Sequence, residues 1–115
     1  MRKLFAGLSL LLASTFSQAT DINWQTVEQK AKGQTVYFYA WGGSPEINNY
    51  LRWADTRLNS EYGVRLKHVK VGDIAEAITR LAAEKTAQKN TNGSVDMVWV
   101  NGENFKSMKR YDLIT

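Results

Sequence analysis

The sequence contains no cysteine, a single histidine and a single proline. The absence of cysteine excludes disulfides, thiolate metal sites and a lipid attached through a lipobox cysteine. One imidazole is too few for a histidine-based metal centre. There is also no Gly-x-Ser-x-Gly elbow, and no lysine follows the glycines in the manner of a phosphate-cradling loop. Nucleophilic, metal-assisted and phosphoryl-transfer schemes therefore lack essential parts. Neither an enzyme nor a cofactor is expected. His68 stands between Lys67 and Lys70 in a strand-like run and reads as a packing or surface residue rather than a ligand. The basic residues are spread among carboxylates instead of clustering, so no nucleic-acid partner is expected.

What is present begins with a targeting pattern. Met1-Arg2-Lys3 is followed by the apolar run Leu4–Ala13 and then by Ser17-Gln18-Ala19. The apolar stretch is roughly ten residues, half of the ~20 that a spanning helix needs, and a core helix would interleave polar residues. Residues 1–19 are expected to be a signal peptide cleaved before Thr20, which places the protein free in a bacterial periplasm. Removing Arg2 and Lys3 leaves 13 basic against 11 acidic residues, so the formal charge falls from +4 to +2. Residues 20–115 are then one modest domain.

Periodicity divides that domain into alternating helices and strands. Asn23 is placed to cap a helix carrying Trp24, Val27 and Ala31 on one face, with Gly33 as its left-handed stop, a lid on the domain edge. Thr35–Ala40 is a β-branched and aromatic run expected to form a strand buried on both faces. In Trp41-Gly42-Gly43-Ser44-Pro45-Glu46, Ser44 offers an N-cap and Pro45 suits the first helical position. Ile47, Tyr50, Leu51, Ala54 and Leu58 recur at helical spacing up to a stop at Tyr62-Gly63. Val64–Val71 reads as a second strand, made less apolar by Arg65, Lys67, His68 and Lys70 and so expected at an edge or in a partly exposed position.

Asp73 and Glu76 form a capping-box pattern ahead of the stripe Ile74, Ala77, Ile78, Leu81 and Ala82. Residues 85–93 read as a frayed helix end and a loop; the glycosylation-like Asn92-Gly93-Ser94 is taken as a turn. Val95–Val100 is a third strand, followed by the loop Asn101-Gly102-Glu103-Asn104 and a helix on which Phe105 and Met108 share a face. The sum is an α/β unit, β-α-β-α-β with a parallel sheet, because each crossover of this kind joins parallel strands.

Ligands of such sheets sit at the carboxyl ends of the strands. That edge carries two informative loops, Trp41-Gly42-Gly43-Ser44 and Asn101-Gly102-Glu103-Asn104. The first has two readings on its own: a tight strand-to-helix turn beside a core tryptophan, or a site in which helix N-terminal amides and the Ser44 hydroxyl hold an anionic or polar group and Trp41 stacks on an aromatic or cationic one.

The block Val36-Tyr37-Phe38-Tyr39-Ala40-Trp41-Gly42-Gly43-Ser44-Pro45-Glu46, then Tyr62-Gly63-Val64, then Gly93-Ser94-Val95-Asp96-Met97-Val98-Trp99-Val100-Asn101-Gly102-Glu103-Asn104-Phe105 resembles the start of an extracellular solute-binding protein of an ABC importer. More narrowly it resembles the YnjB-type branch, related to binding proteins for thiamine, polyamines and iron. The resemblance implies lobe 1 of a two-lobed, class II periplasmic-binding-protein fold. It implies ABC permease subunits as partners and a small solute that is thiamine-, polyamine- or metal-related. It nominates Trp41, Gly42, Gly43, Ser44, Gly102, Glu103 and Asn104 as cleft residues. Such proteins are several times longer than 115 residues, so the chain is expected to be an N-terminal fragment with half a binding site. The rival reading is a stand-alone exported α/β domain that binds a protein partner.

Overall fold

The structure is a computed structural model describing residues 22–114. The expected signal peptide, residues 1–19, lies outside the described residues. The elements follow in the order α1 (Trp24–Ala31), β1 (Thr35–Trp41), α2 (Pro45–Tyr62), β2 (Arg65–Val71), α3 (Ala75–Thr86), β3 (Met97–Val98) and α4 (Gly102–Arg110). The three strands are parallel and lie in the order β2-β1-β3. β1 takes the middle because it is the strand that tolerates neighbours on both sides: its Phe38, Tyr39 and Ala40 are buried. The cationic β2 lies at the edge, as its composition requires, with Thr35 opposite Arg65 and Trp41 opposite Val71.

Alternation along β1 divides the core in two. Phe38 and Ala40 pack with Leu51 of α2, with Ile47 and Leu66 against them. Tyr39 faces the other way and joins Val71, Ile74 and Ala77, with Val69, Val95, Val98 and Val100 around them. α2 therefore covers one face and α3 the other. The crossover from the central β1 out to β2 carries α2, and the crossover from the edge strand β2 back past β1 to β3 carries α3; with the usual right-handed sense the two reversed steps put the helices on opposite faces. α4 packs beside α3 and buries Met108, of which only 1% is exposed. Among the described residues, no helix is long and apolar enough to cross a membrane.

Local chemistry explains where the elements begin and end. Asn23 caps α1, its side chain accepting from the Thr26 amide. Gly33 and Gly63 both adopt left-handed angles (φ 80° and 69°), and the Gly33 amide donates to the Gly63 carbonyl at 2.8 Å. This bond ties the end of α1 to the end of α2. A residue with a Cβ is strained at either position.

Five expectations need correction. First, β3 pairs only over Met97–Val98 rather than Val95–Val100, because the Asp96 carboxylate itself takes the Tyr37 amide (2.8 Å) in place of a main-chain acceptor. Second, β1 is not covered on both faces throughout, since Tyr37 is 39% exposed beside the short β3. Third, no capping box forms at Asp73 and Glu76: α3 starts at Ala75, and the Asp73 carboxylate instead receives the Ala75 amide at 2.9 Å. Fourth, Gly102, Glu103 and Asn104 are not loop residues but the first turn of α4, capped by Asn101 through the Asn104 amide at 3.1 Å. Fifth, α1 buries none of its residues, so its apolar face carries no core. All four tryptophans are at least half exposed.

Candidate site at the carboxyl edge of the sheet

β1 and β3 are parallel neighbours, but the chain leaves them toward opposite faces, from β1 into α2 and from β3 into α4 beside α3. Their carboxyl ends diverge, and a crevice opens at that switch point, the place where open α/β sheets receive ligands. Trp41 ends β1, and Trp99 follows β3 directly, its amide donating to the Tyr39 carbonyl at 3.0 Å. With Ile47 from the first turn of α2 they line a cavity of about 240 Å³. Two half-exposed indoles and an isoleucine make its wall chiefly apolar and aromatic.

Of the seven predicted site residues, Trp41 lines this cavity; Gly42, Gly43 and Ser44 continue from it as the turn into α2. Both glycines are there for close approach rather than for unusual angles. A Cβ on Gly42 would lie 2.6 Å from the Cβ of Lys70, and one on Gly43 would lie 2.9 Å from Nε1 of Trp41 and nearer still to its ring carbons. The Trp41 indole thus folds back over Gly43.

Ser44 is committed to its helix. Its Oγ accepts the Ile47 amide at 3.3 Å and donates to Oε2 of Glu46 at 3.0 Å. The Asn48 side-chain amide donates to the Gly42 carbonyl at 2.9 Å and fixes the turn. The Glu46 carboxyl is held below its ordinary pKa by its own backbone amide and then by the Ser44 hydroxyl. The positive end of α2 is therefore already answered by a carboxylate from its own first turn.

Gly102, Glu103 and Asn104 start α4 shortly beyond Trp99 but do not line the cavity. Glu103 is exposed at the helix's first turn, and the space around Gly102 is open. The structure thus adds Trp99 and Ile47, which the sequence placed in a buried strand and a core stripe. The signal for Trp99 was its position, two residues before the second loop, at the carboxyl end of its strand as Trp41 is at the end of β1.

The chain is 46% identical over 109 residues to Protein YnjB of Escherichia coli strain K12. The match covers 94% of this chain and 28% of that protein, so the chain spans little more than a quarter of the relative's length. No protein-family model and no solved structure matches. The similarity to Protein YnjB thus extends over nearly all of this chain.

Proposed function

We propose that this chain is part of the first lobe of a periplasmic solute-binding component of an ABC transporter, which captures a small solute in an inter-lobe cleft for delivery to a membrane permease. The observation that carries the reading is the convergence of Trp41 and Trp99 at the switch point of a β2-β1-β3 parallel sheet. The likeness to a much longer relative agrees with a lobe that is only partly contained here.

The solute is an aromatic or cationic one. Indole faces attract cations and stack on planar rings. Glu46 and Glu103 lie in the first turns of the helices that follow Trp41 and Trp99. An anion is disfavoured because Ser44 already serves the Ile47 amide and Glu46. Thiamine-like and polyamine-like solutes suit this chemistry better than metal–anion complexes.

Titrating the purified chain with thiamine, spermidine and ferric citrate while following tryptophan emission tests the assignment. Saturable quenching by thiamine or spermidine, lost in both Trp41→Ala and Trp99→Ala, is the expected result. Quenching that survives either substitution, or none with any solute, rejects it.

A second reading, an exported domain that binds a protein, draws on the outer face of α2. There Tyr50 and Trp53, 60% and 55% exposed, pack with ring centroids 5.6 Å apart, and the Arg57 guanidinium lies 5.8 Å above the Trp53 ring. This reading requires a monomer that unfolds cooperatively by itself, whereas the lobe reading requires broad, weakly cooperative unfolding.

A further inference from the structure

Two Asn-Gly linkages occur in the chain, Asn92-Gly93 and Asn101-Gly102. In both, the residue after the asparagine has no side chain, so nothing on it hinders its amide nitrogen from approaching the asparagine Cγ. The fold treats the two differently.

Asn101 is held in place. Its Oδ1 accepts the Asn104 amide at 3.1 Å, and its main-chain carbonyl accepts the Phe105 amide at 2.9 Å. A ring closed between Asn101 Cγ and the Gly102 nitrogen would contain the carbons of both these carbonyls, and both are fixed on the first turn of α4. Closure there requires the helix cap to open first.

Asn92 is exposed, at φ 53°, in the segment between α3 and Ser94. From Asn90 to Gly93 no main-chain amide has an acceptor among the described residues, and neither carbonyl of Asn92 has a donor there. The anchored groups stand on either side of this stretch. The Lys89 amide donates to the Glu84 carbonyl at 3.0 Å, and Ser94 gives its amide (3.1 Å) and its hydroxyl to the Glu84 carboxylate. The Gly93 amide is thus left free beside an asparagine side chain that is free to turn toward it. Asn92 also lines a cavity of about 440 Å³ together with Lys67 and Arg80.

We propose that Asn92-Gly93 is a site of spontaneous deamidation, selected by the fold over Asn101-Gly102, and that the reaction places a carboxylate at the cavity of Lys67 and Arg80. The Gly93 amide gives its proton to hydroxide, and its nitrogen attacks Asn92 Cγ. The new C–N bond closes a succinimide, and the side-chain nitrogen leaves as ammonia with a proton taken from water. A water molecule then opens the ring at either carbonyl, which restores the Gly93 amide and leaves aspartate or isoaspartate at residue 92. The net change is asparagine plus water to a carboxylate plus ammonium. A neutral side chain becomes an anion on a cavity with two cations, of which Lys67 has no acidic partner among the described residues. This proposal does not depend on the solute assigned to the tryptophan crevice.

Both linkages lie on the tryptic peptide of residues 90–106, so each is the internal reference for the other. The purified chain is held in mildly alkaline buffer and digested at intervals. Fragment masses locate each conversion, and labelling by an isoaspartyl methyltransferase reports the isoaspartate. Residue 92 is expected to convert about tenfold faster than residue 101, the population cost of opening a helix cap. The difference should vanish in guanidinium chloride, where no cap forms. Gly93→Ala, whose Cβ hinders the attacking nitrogen, should slow residue 92 and leave residue 101 unchanged. Equal rates in the folded chain, faster conversion at Asn101, or a difference that persists in denaturant overturns the proposal.

Discussion

The indole of Trp41 lies folded over the backbone of Gly43, so close that a methyl group at residue 43 would overlap the ring. The glycine is thus the floor on which the ring rests, and the orientation of one wall of the crevice depends on a side chain that is absent. Gly43→Ala is expected to displace the indole, changing near-ultraviolet circular dichroism and tryptophan emission, and to cost about 1–3 kcal/mol of stability as overpacking does. Gly102→Ala is the control. A Cβ there meets nothing within 4 Å, so the same spectra should stay as they are.

Leu51 is the one buried residue of α2 and holds that helix to Phe38 and Ala40. Leu51→Ala is expected to cost about 2–5 kcal/mol in urea denaturation, through lost transfer energy and the cavity left behind. Tyr50→Ala, one residue earlier on the exposed face, should cost clearly less. Equal losses would mean that α2 is seated differently.

Gly63 ends α2 at φ 69°, with its amide donating to the Asn59 carbonyl at 3.0 Å. Gly63→Ala should destabilise by about 1–2 kcal/mol because a Cβ is unfavourable in the left-handed region. The measurement is the denaturation midpoint, compared with that of Gly72→Ala, whose backbone lies outside that region.

Three carboxyls are held below their ordinary range. Asp55 is lowered first by Arg65 and then by the Leu66 amide, Glu84 chiefly by the Ser94 hydroxyl, and Glu46 chiefly by its own backbone amide. A carboxyl depressed in the folded state adds stability that is complete above its unfolded pKa and is lost as pH falls through its folded pKa. Stability should therefore be flat near neutrality and decline below about pH 4. Asp55→Asn should lower the neutral-pH plateau and make the acid decline shallower; an unchanged pH profile would show that the Arg65 pair contributes nothing.

Much of the architecture was legible from local chemistry. Asn23, Ser44 with Pro45, and Gly63 each mark a helix boundary, because a cap needs a particular side chain or backbone angle at one position and the sequence states it outright. The edge position of β2 was legible from its charges, which cannot be buried between two strands. The extent of β3 was not, since Val95–Val100 is apolar almost throughout. What shortened it was a bond between residues far apart in sequence, Asp96 to the Tyr37 amide. The candidate site was half legible. Trp41 and its glycine turn stood out, but the paired wall at Trp99 and the engagement of Ser44 by Glu46 did not.

By itself, then, the sequence determined the alternation of helices and strands, the parallel α/β class, the helix ends at Asn23, Ser44 and Gly63 and the cationic edge. Each of these depends on residues within a turn or two of one another. Only the tertiary structure decided that β1 stands between β2 and β3, with α2 and α3 on opposite faces. That order is a choice of which long-range pairs bury the most apolar surface, and no local spacing encodes it. From it follows the crevice shared by Trp41 and Trp99.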